Sequence, residues 1–225
     1  MARRLGLGDV STLGLISEKE GIIPNRDWKL EQRGVVWTPG ETVVAGIGQG
    51  FVLTTPLQLA LMTARIANGR SAITPSLITQ QSPQQSSGGG TEVSSEKSPE
   101  KSTSFPPLNV SPDIIRFLHK SMRKVMAGGL GTARKHDIDQ GMAGKTGTVQ
   151  VKRITKEQRE KGIIDNIDRP WKERDHALFV AFAPYKQPRY AISVIVEHGG
   201  SGSSAAAPIA RDIMDFMLKS DGLSA

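Results

Sequence analysis

The chain has 225 residues, 37% hydrophobic and 5% aromatic, which is enough for one domain with a sizeable core. It contains no cysteine, which excludes thiolate metal sites, disulfides and a cysteine nucleophile. The formal charge of +7 is a mild attraction toward anions, and no apolar run of about 18 residues marks a membrane-spanning helix.

The N-terminal stretch MARRLGLGDVSTLGL has two arginines, but its glycines and Asp9 interrupt any signal-peptide apolar region. Further on, VVAGIGQGFVLT is a glycine-punctuated apolar segment, expected to be a tight buried turn. It feeds TTPLQLALMTARIANG, which predicts a helix. Thr55 is the N-cap, Pro56 takes the first helical position and Gly69 lies beyond the end. Leu57, Ala60, Leu61, Ala64 and Ala67 fall on one face of it.

Residues 80–107 change character. Ser, Gln, Gly and Pro dominate, and only Val93 and Phe105 are large and apolar. Such a stretch cannot bury enough surface to offset chain entropy. It is expected to be a flexible low-complexity insertion inside one domain spanning residues 1–225.

The pattern resumes with SPDIIRFLHKSMRKVMAGGLGTA, a second predicted helix capped by Ser111 and ended by Gly128 and Gly129. Ile115, Leu118, Met122 and Val125 make its apolar face. Arg116, Lys120, Arg123, Lys124, Arg134 and Lys135 form a basic run with no acid between Ile114 and His136. A solvated face, with favourable charge at a helix C-terminus, is preferred to a polyanion site. Stacking aromatics are not interleaved there, so nucleic acid is not an expected partner.

GMAGKTGTVQV, residues 141–151, reads as a strand. Residues 152–175 read as a charged, mobile stretch, placed to act as a rim or lid, with Asp165 and Asp168 solvated. HALFVAFAP and RYAISVIVEHGG are two further strands split by the turn PYKQP. AAAPIARDIMDFMLK closes the chain as a helix, with Ile209, Ile213, Phe216 and Met217 expected on its inner face. The order predicts an α+β fold: an antiparallel sheet flanked by helices.

The chemistry centres on Lys145-Thr146-Gly147-Thr148. A strand puts Lys145 and Gly147 on one face and the two threonines on the other. Glycine admits a closely approaching backbone, and an edge strand could pair with a peptide substrate. The ammonium and a hydroxyl would hold a carboxylate. A phosphate loop also ends in G-K-T, but its first glycine would fall at Asp139, and strand character follows where a helix is needed. An ordinary lysine-bearing strand is the bland alternative.

The remaining stretches decide between these readings. GIIPNRDWK, GETVVAGIGQGFVLTTPLQLA, GLGTARKH, MAGKTGTVQV, HALFVAFAPY and VIVEHGGSGSSAAAPIARDIMDFML occur in one order over nearly all the chain outside residues 80–107. Together they resemble class B penicillin-binding proteins of the elongation type. The resemblance implies the β-lactamase/transpeptidase-like fold and a D,D-transpeptidase that cross-links peptidoglycan stem peptides. In that reaction a serine attacks the D-Ala–D-Ala amide, and an amine of a second strand then takes the acyl group. Lys145 would serve proton relay and electrostatics, and Thr146 and Thr148 would hold the donor carboxylate beside Gly147. The Thr148 N–H would be an oxyanion-hole donor. β-Lactams, a glycosyltransferase partner and the periplasmic face of the inner membrane are implied likewise. A cofactor is not.

The family pattern is S-x-x-K, then S-x-N, then K-T-G. Ser94–Lys97 and Ser98–Lys101 lie in the low-complexity insertion, where a nucleophile could not be held. Ser121–Lys124 lies between the GIGQG and KTG stretches, away from the family's nucleophile helix, and S-x-N does not occur. The chain is therefore expected to be the C-terminal part of a transpeptidase domain. Its nucleophile half and N-terminal membrane anchor would lie elsewhere, leaving these residues silent alone and their apolar faces exposed. A serine β-lactamase relative and a non-catalytic, partner-binding remnant are the alternatives. The four histidines show no metal-ligand spacing.

Overall fold

The computed structural model describes residues 1–11, 13–77, 105–152, 155, 157, 160, 162 and 164–222. Five α-helices and three strands order the described chain. They run α1 (Arg26–Arg33), α2 (Pro39–Gly46), α3 (Pro56–Asn68), α4 (Pro112–Ala127), β1 (Ala143–Val149), β2 (His176–Ala183), β3 (Tyr190–Val196) and α5 (Ala207–Ser220). The strands form one antiparallel sheet in the order β1-β2-β3. The α+β class expected from the element order is the observed one.

The sheet sorts its side chains by period two onto two cores. Phe179 and Ala181 of β2 face α5 and join Ala207, Ala210, Met214 and Leu218. Phe182 and Ala143 face the other way and join Ile66 of α3 with Ile115 and Met122 of α4. Phe179 and Phe182 are fully buried. Burying a side chain of this size stabilises by about 1.5–3 kcal/mol. Gly144 permits this arrangement, because a Cβ there would sit 2.6 Å from the Phe179 ring. The helices thus fix β1 from one side while its partner strand fixes it from the other.

Several helix limits match their local signals. Thr55 Oγ1 accepts the Gln58 N–H at 3.2 Å, and Gly69 ends α3 at φ +67°. Ser111 Oγ accepts the Asp113 N–H at 3.3 Å, and Ile115, Met122 and Met126 of α4 are buried.

Packing overrides four sequence expectations. First, α5 buries Ala207, Ala210, Met214 and Leu218, whereas Ile209, Ile213 and Phe216 are 43%, 42% and 71% exposed. Both stripes have helical spacing. The small alanines let the helix approach a sheet whose own Phe179 fills the gap. Second, α3 buries Gln58, Thr63 and Ile66, while the predicted face is half-buried. Gln58 is tolerated inside because its Nε2 donates to Asp9 O at 2.9 Å and Glu20 O at 2.8 Å.

Third, the segment expected to be a buried turn carries the C-terminal half of α2 and then two turns, where Gly48 and Gly50 have φ +76° and +75°. Val43 and Ile47 are 71% and 73% exposed, because no described element covers them. Fourth, the stretch 152–175 is tied down over its second half. Asp175 is buried and its carboxylate accepts Asn166 Nδ2 at 2.8 Å, while its N–H donates to Asn166 Oδ1 at 2.9 Å. Asp165 and Asp168 are exposed, as expected.

Most of the 80–107 insertion lies outside the described residues, including Ser94 and Ser98. Its last residues belong to the fold. The Ala72 N–H donates to Pro106 O at 2.8 Å, Ser71 pairs with Pro107, and Leu108 beside them is buried.

Candidate active site

Lys145, Thr146, Gly147 and Thr148 lie in one row on β1, at an edge of the sheet. Their register against Val180, Phe179, Leu178 and Ala177 is continuous. Lys145 and Thr148 are exposed, and Thr146 and Gly147 are half-buried. The Lys145 ammonium donates to the Thr146 carbonyl at 2.7 Å.

The strand's entry is pinned from α4. Arg123 Nη1 donates to Asp137 Oδ1 at 2.8 Å and to Met142 O at 2.7 Å, and the Met142 N–H donates to Asp137 Oδ1 at 2.9 Å. This three-residue clamp fixes the backbone three residues before the lysine. Charge-assisted bonds of this type are the stronger ones.

Three contributors were not singled out from the sequence for this site. Thr132 Oγ1 lies 3.1 Å from Thr146 Oγ1, so one hydroxyl orients the other. Gly202 lies in the turn Gly199-Gly200-Ser201-Gly202 that joins β3 to α5, and turn formation near the cleft is sufficient to explain its glycine from sequence. In fact a Cβ there would meet Leu178 O at 2.3 Å and Gly147 O at 2.6 Å, so the β3–α5 connection packs directly on the motif glycine. The Arg123–Asp137 pair is the third. Thr132 and Gly202 sit within GLGTARKH and the GGSGSS run, two of the stretches that carry the family resemblance, and that was their signal in the sequence.

The fold also brings Ser121 and Lys124 of α4 to a hollow shared with Thr132 and Lys145. Among the described residues no hydrogen bond joins the Ser121 hydroxyl to either lysine. No acidic side chain lines this hollow. It suits an anionic or carbonyl-bearing ligand placed against the strand edge.

An antiparallel sheet between helical layers, with a K-T-G row on its edge strand, defines the β-lactamase/transpeptidase-like class. The family model for the penicillin binding protein transpeptidase domain matches residues 1–215, and the chain belongs to that family. It is 35% identical over 218 residues to the peptidoglycan D,D-transpeptidase MrdA of Acinetobacter baumannii, covering 96% of this chain and 30% of that protein. A crystal structure of Pseudomonas aeruginosa PBP2 in complex with WCK 5153 is 35% identical with a TM-score of 0.72, over 96% of this chain and 42% of that one. The complex between PBP2 and MreC from Helicobacter pylori contains a chain 28% identical with a TM-score of 0.74, over 99% of this chain and 35% of that one. The chain spans about a third of the length of the curated relatives it matches.

Proposed function

We propose that these residues form one wall of a peptidoglycan D,D-transpeptidase cleft. The observation that carries this is the K-T-G row on an accessible sheet edge, in a chain of the penicillin-binding transpeptidase family. Lys145 supports proton transfer around the nucleophile, and Thr146 and Thr148 hold the terminal carboxylate of the donor peptide. Gly147 admits the peptide backbone, and the Thr148 N–H stabilises the oxyanion, a contribution worth about a hundredfold or more in rate. Stem peptides and β-lactams are the ligands of this wall. A cell-wall glycosyltransferase is the proposed partner, at the periplasmic face of the inner membrane.

The nucleophile is assigned to a part of the domain outside these 225 residues. The exposed Val43, Ile47, Ile209, Ile213 and Phe216 support this, since they are apolar surface that the rest of a domain would cover. A second reading makes Ser121 the nucleophile, because it shares the hollow of Lys145.

A fluorescent penicillin separates the two. The chain alone is expected to stay unlabelled. Mixing it with the segment that precedes it in the full transpeptidase is expected to restore a covalent adduct on that segment, and Lys145→Ala to abolish it. A stoichiometric adduct on Ser121 of the chain alone would sink the first reading.

A further inference from the structure

The turn that leaves β3 is built around His198. This residue has φ +55°, a left-handed conformation that residues other than glycine seldom adopt unless their surroundings hold them in it. Two hydrogen bonds and two ring contacts do so. The His198 N–H donates to His176 Nδ1 at 2.9 Å, and His198 Nδ1 lies 2.9 Å from Arg174 O. The His198 ring meets that of His176 edge-on with centroids 4.6 Å apart, and that of Trp171 at 4.4 Å.

These bonds fix the proton on each imidazole. A ring nitrogen that accepts an N–H carries no proton, so His176 holds its proton on Nε2. A carbonyl can only accept, so His198 Nδ1 is the donor to Arg174 O. The two rings are in opposite tautomers, and a change in either breaks a bond. Their place in the fold gives this lock a consequence. His176 opens β2 opposite Val149, the last residue of the motif strand. Beyond His198, the Gly200 N–H donates to Asp175 O at 2.8 Å, and the Asp175 carboxylate accepts the Val151 N–H at 3.2 Å. Further along, Gly202 lies so close to the motif that a Cβ on it would meet Gly147 O at 2.6 Å. The β3–α5 connection is therefore tied to the start of β2 through His198 and Gly200, and laid on the motif at Gly202.

We propose that His176 and His198 are positioning residues: their paired tautomers lock the β3–α5 connection in the turn that seats Gly202 on Gly147. The proposal rests on the transpeptidase reading. Neither ring belongs to the K-T-G row, and neither lines the hollow of Lys145. They act through the backbone. Without the His176 acceptor, the left-handed turn loses the bond that holds the His198 N–H. The connection then relaxes, and Gly147 loses the surface that backs it. Gly147 stands between the two threonines assigned to the donor carboxylate, so its displacement misaligns groups that are already bound. The step after binding slows while binding itself changes little.

The first test is spectroscopic and uses the 225-residue chain. Long-range proton–nitrogen NMR spectra should show the His176 proton on Nε2 and the His198 proton on Nδ1; any other pattern overturns the lock. The second is kinetic and uses the transpeptidase completed with the segment that precedes this chain. His176→Phe keeps a ring and removes the acceptor. It should lower the saturating rate of penicillin labelling about tenfold, with the half-saturating concentration little changed. His176→Asn, whose Oδ1 can take the place of Nδ1, should restore most of that rate. A His176→Phe enzyme as fast as the unsubstituted one, or a His176→Asn enzyme as slow as His176→Phe, overturns the positioning role. The tautomer spectra decide even where His176→Phe does not fold. An adduct that forms equally fast in His176→Phe sinks the positioning role alone, and the lack of any adduct in the unsubstituted completed transpeptidase sinks the transpeptidase reading.

Discussion

Two regions of this molecule are built by different means. Around the sheet, Phe179, Phe182, Met142 and Met214 are fully buried, and apolar contact sets the geometry. In residues 6–57 the one buried side chain among those described is a cation, Lys29. Its ammonium donates to Glu41 Oε2 and to Val36 O, both at 2.7 Å. Glu41 also accepts the Thr38 N–H at 2.7 Å, so one carboxylate ties α1 to the start of α2. Nearby, Val36, Val43, Ile47 and Leu53 face outward. The lesson is that the motif strand stands on a self-sufficient core, whereas α1 and α2 hang on a polar clamp and keep their apolar surface for something else.

This contrast can be broken at its strong end first. Phe179→Ala should cost about 3–5 kcal/mol and loosen the whole sheet, as read by chemical denaturation. Gly202→Ala should cost about 2–3 kcal/mol, because its Cβ would meet backbone oxygens of Leu178 and Gly147. Its hydrogen-exchange footprint should centre on β1 and the start of α5. A Gly202→Ala variant with unchanged exchange at Gly147 would deny the packing role given to that glycine.

Lys29→Ala should act locally. Exchange protection in residues 26–46 should fall while β2 and β3 keep theirs, and a global loss of protection would refute the separation of the two regions. Acid should do the same. The Glu41 carboxyl is held below its ordinary range, first by the Lys29 hydrogen bond and then by the Thr38 N–H. A depressed folded value means the contribution is complete above the ordinary carboxylate range and is lost as pH falls through the folded value. Protection of α2 should therefore fall at acidic pH before that of the sheet. The smallest effect belongs to Val43→Ser, expected within about 0.5 kcal/mol because the side chain is 71% exposed. A larger loss would show that Val43 is already covered within the chain.

Legibility followed locality. The caps at Thr55 and Ser111, the K-T-G row and the strand order of β2 and β3 were readable, because each depends on residues a few positions apart. Two more helices were equally local and passed unread. Asn25 accepts the Trp28 N–H at 2.7 Å and Gly34 ends α1 at φ +67°. Thr38-Pro39-Gly40-Glu41 is a capping sequence that opens α2. In both, the apolar spacing was too thin to mark a face. The inner face of α5 was not readable at all, since two stripes satisfied the same period.

The sequence by itself determined α3, α4, α5 and the three strands as elements, the antiparallel order and the identity of the motif strand. These rest on turn chemistry, capping and side-chain period, which act over neighbouring residues. Only the tertiary structure decided which stripe of α5 meets the sheet, that Gly202 rests on Gly147, and that Thr132 reaches Thr146. It also set Lys145 beside Ser121. Those outcomes depend on how volumes fit between segments far apart in the chain, and no local pattern carries that information.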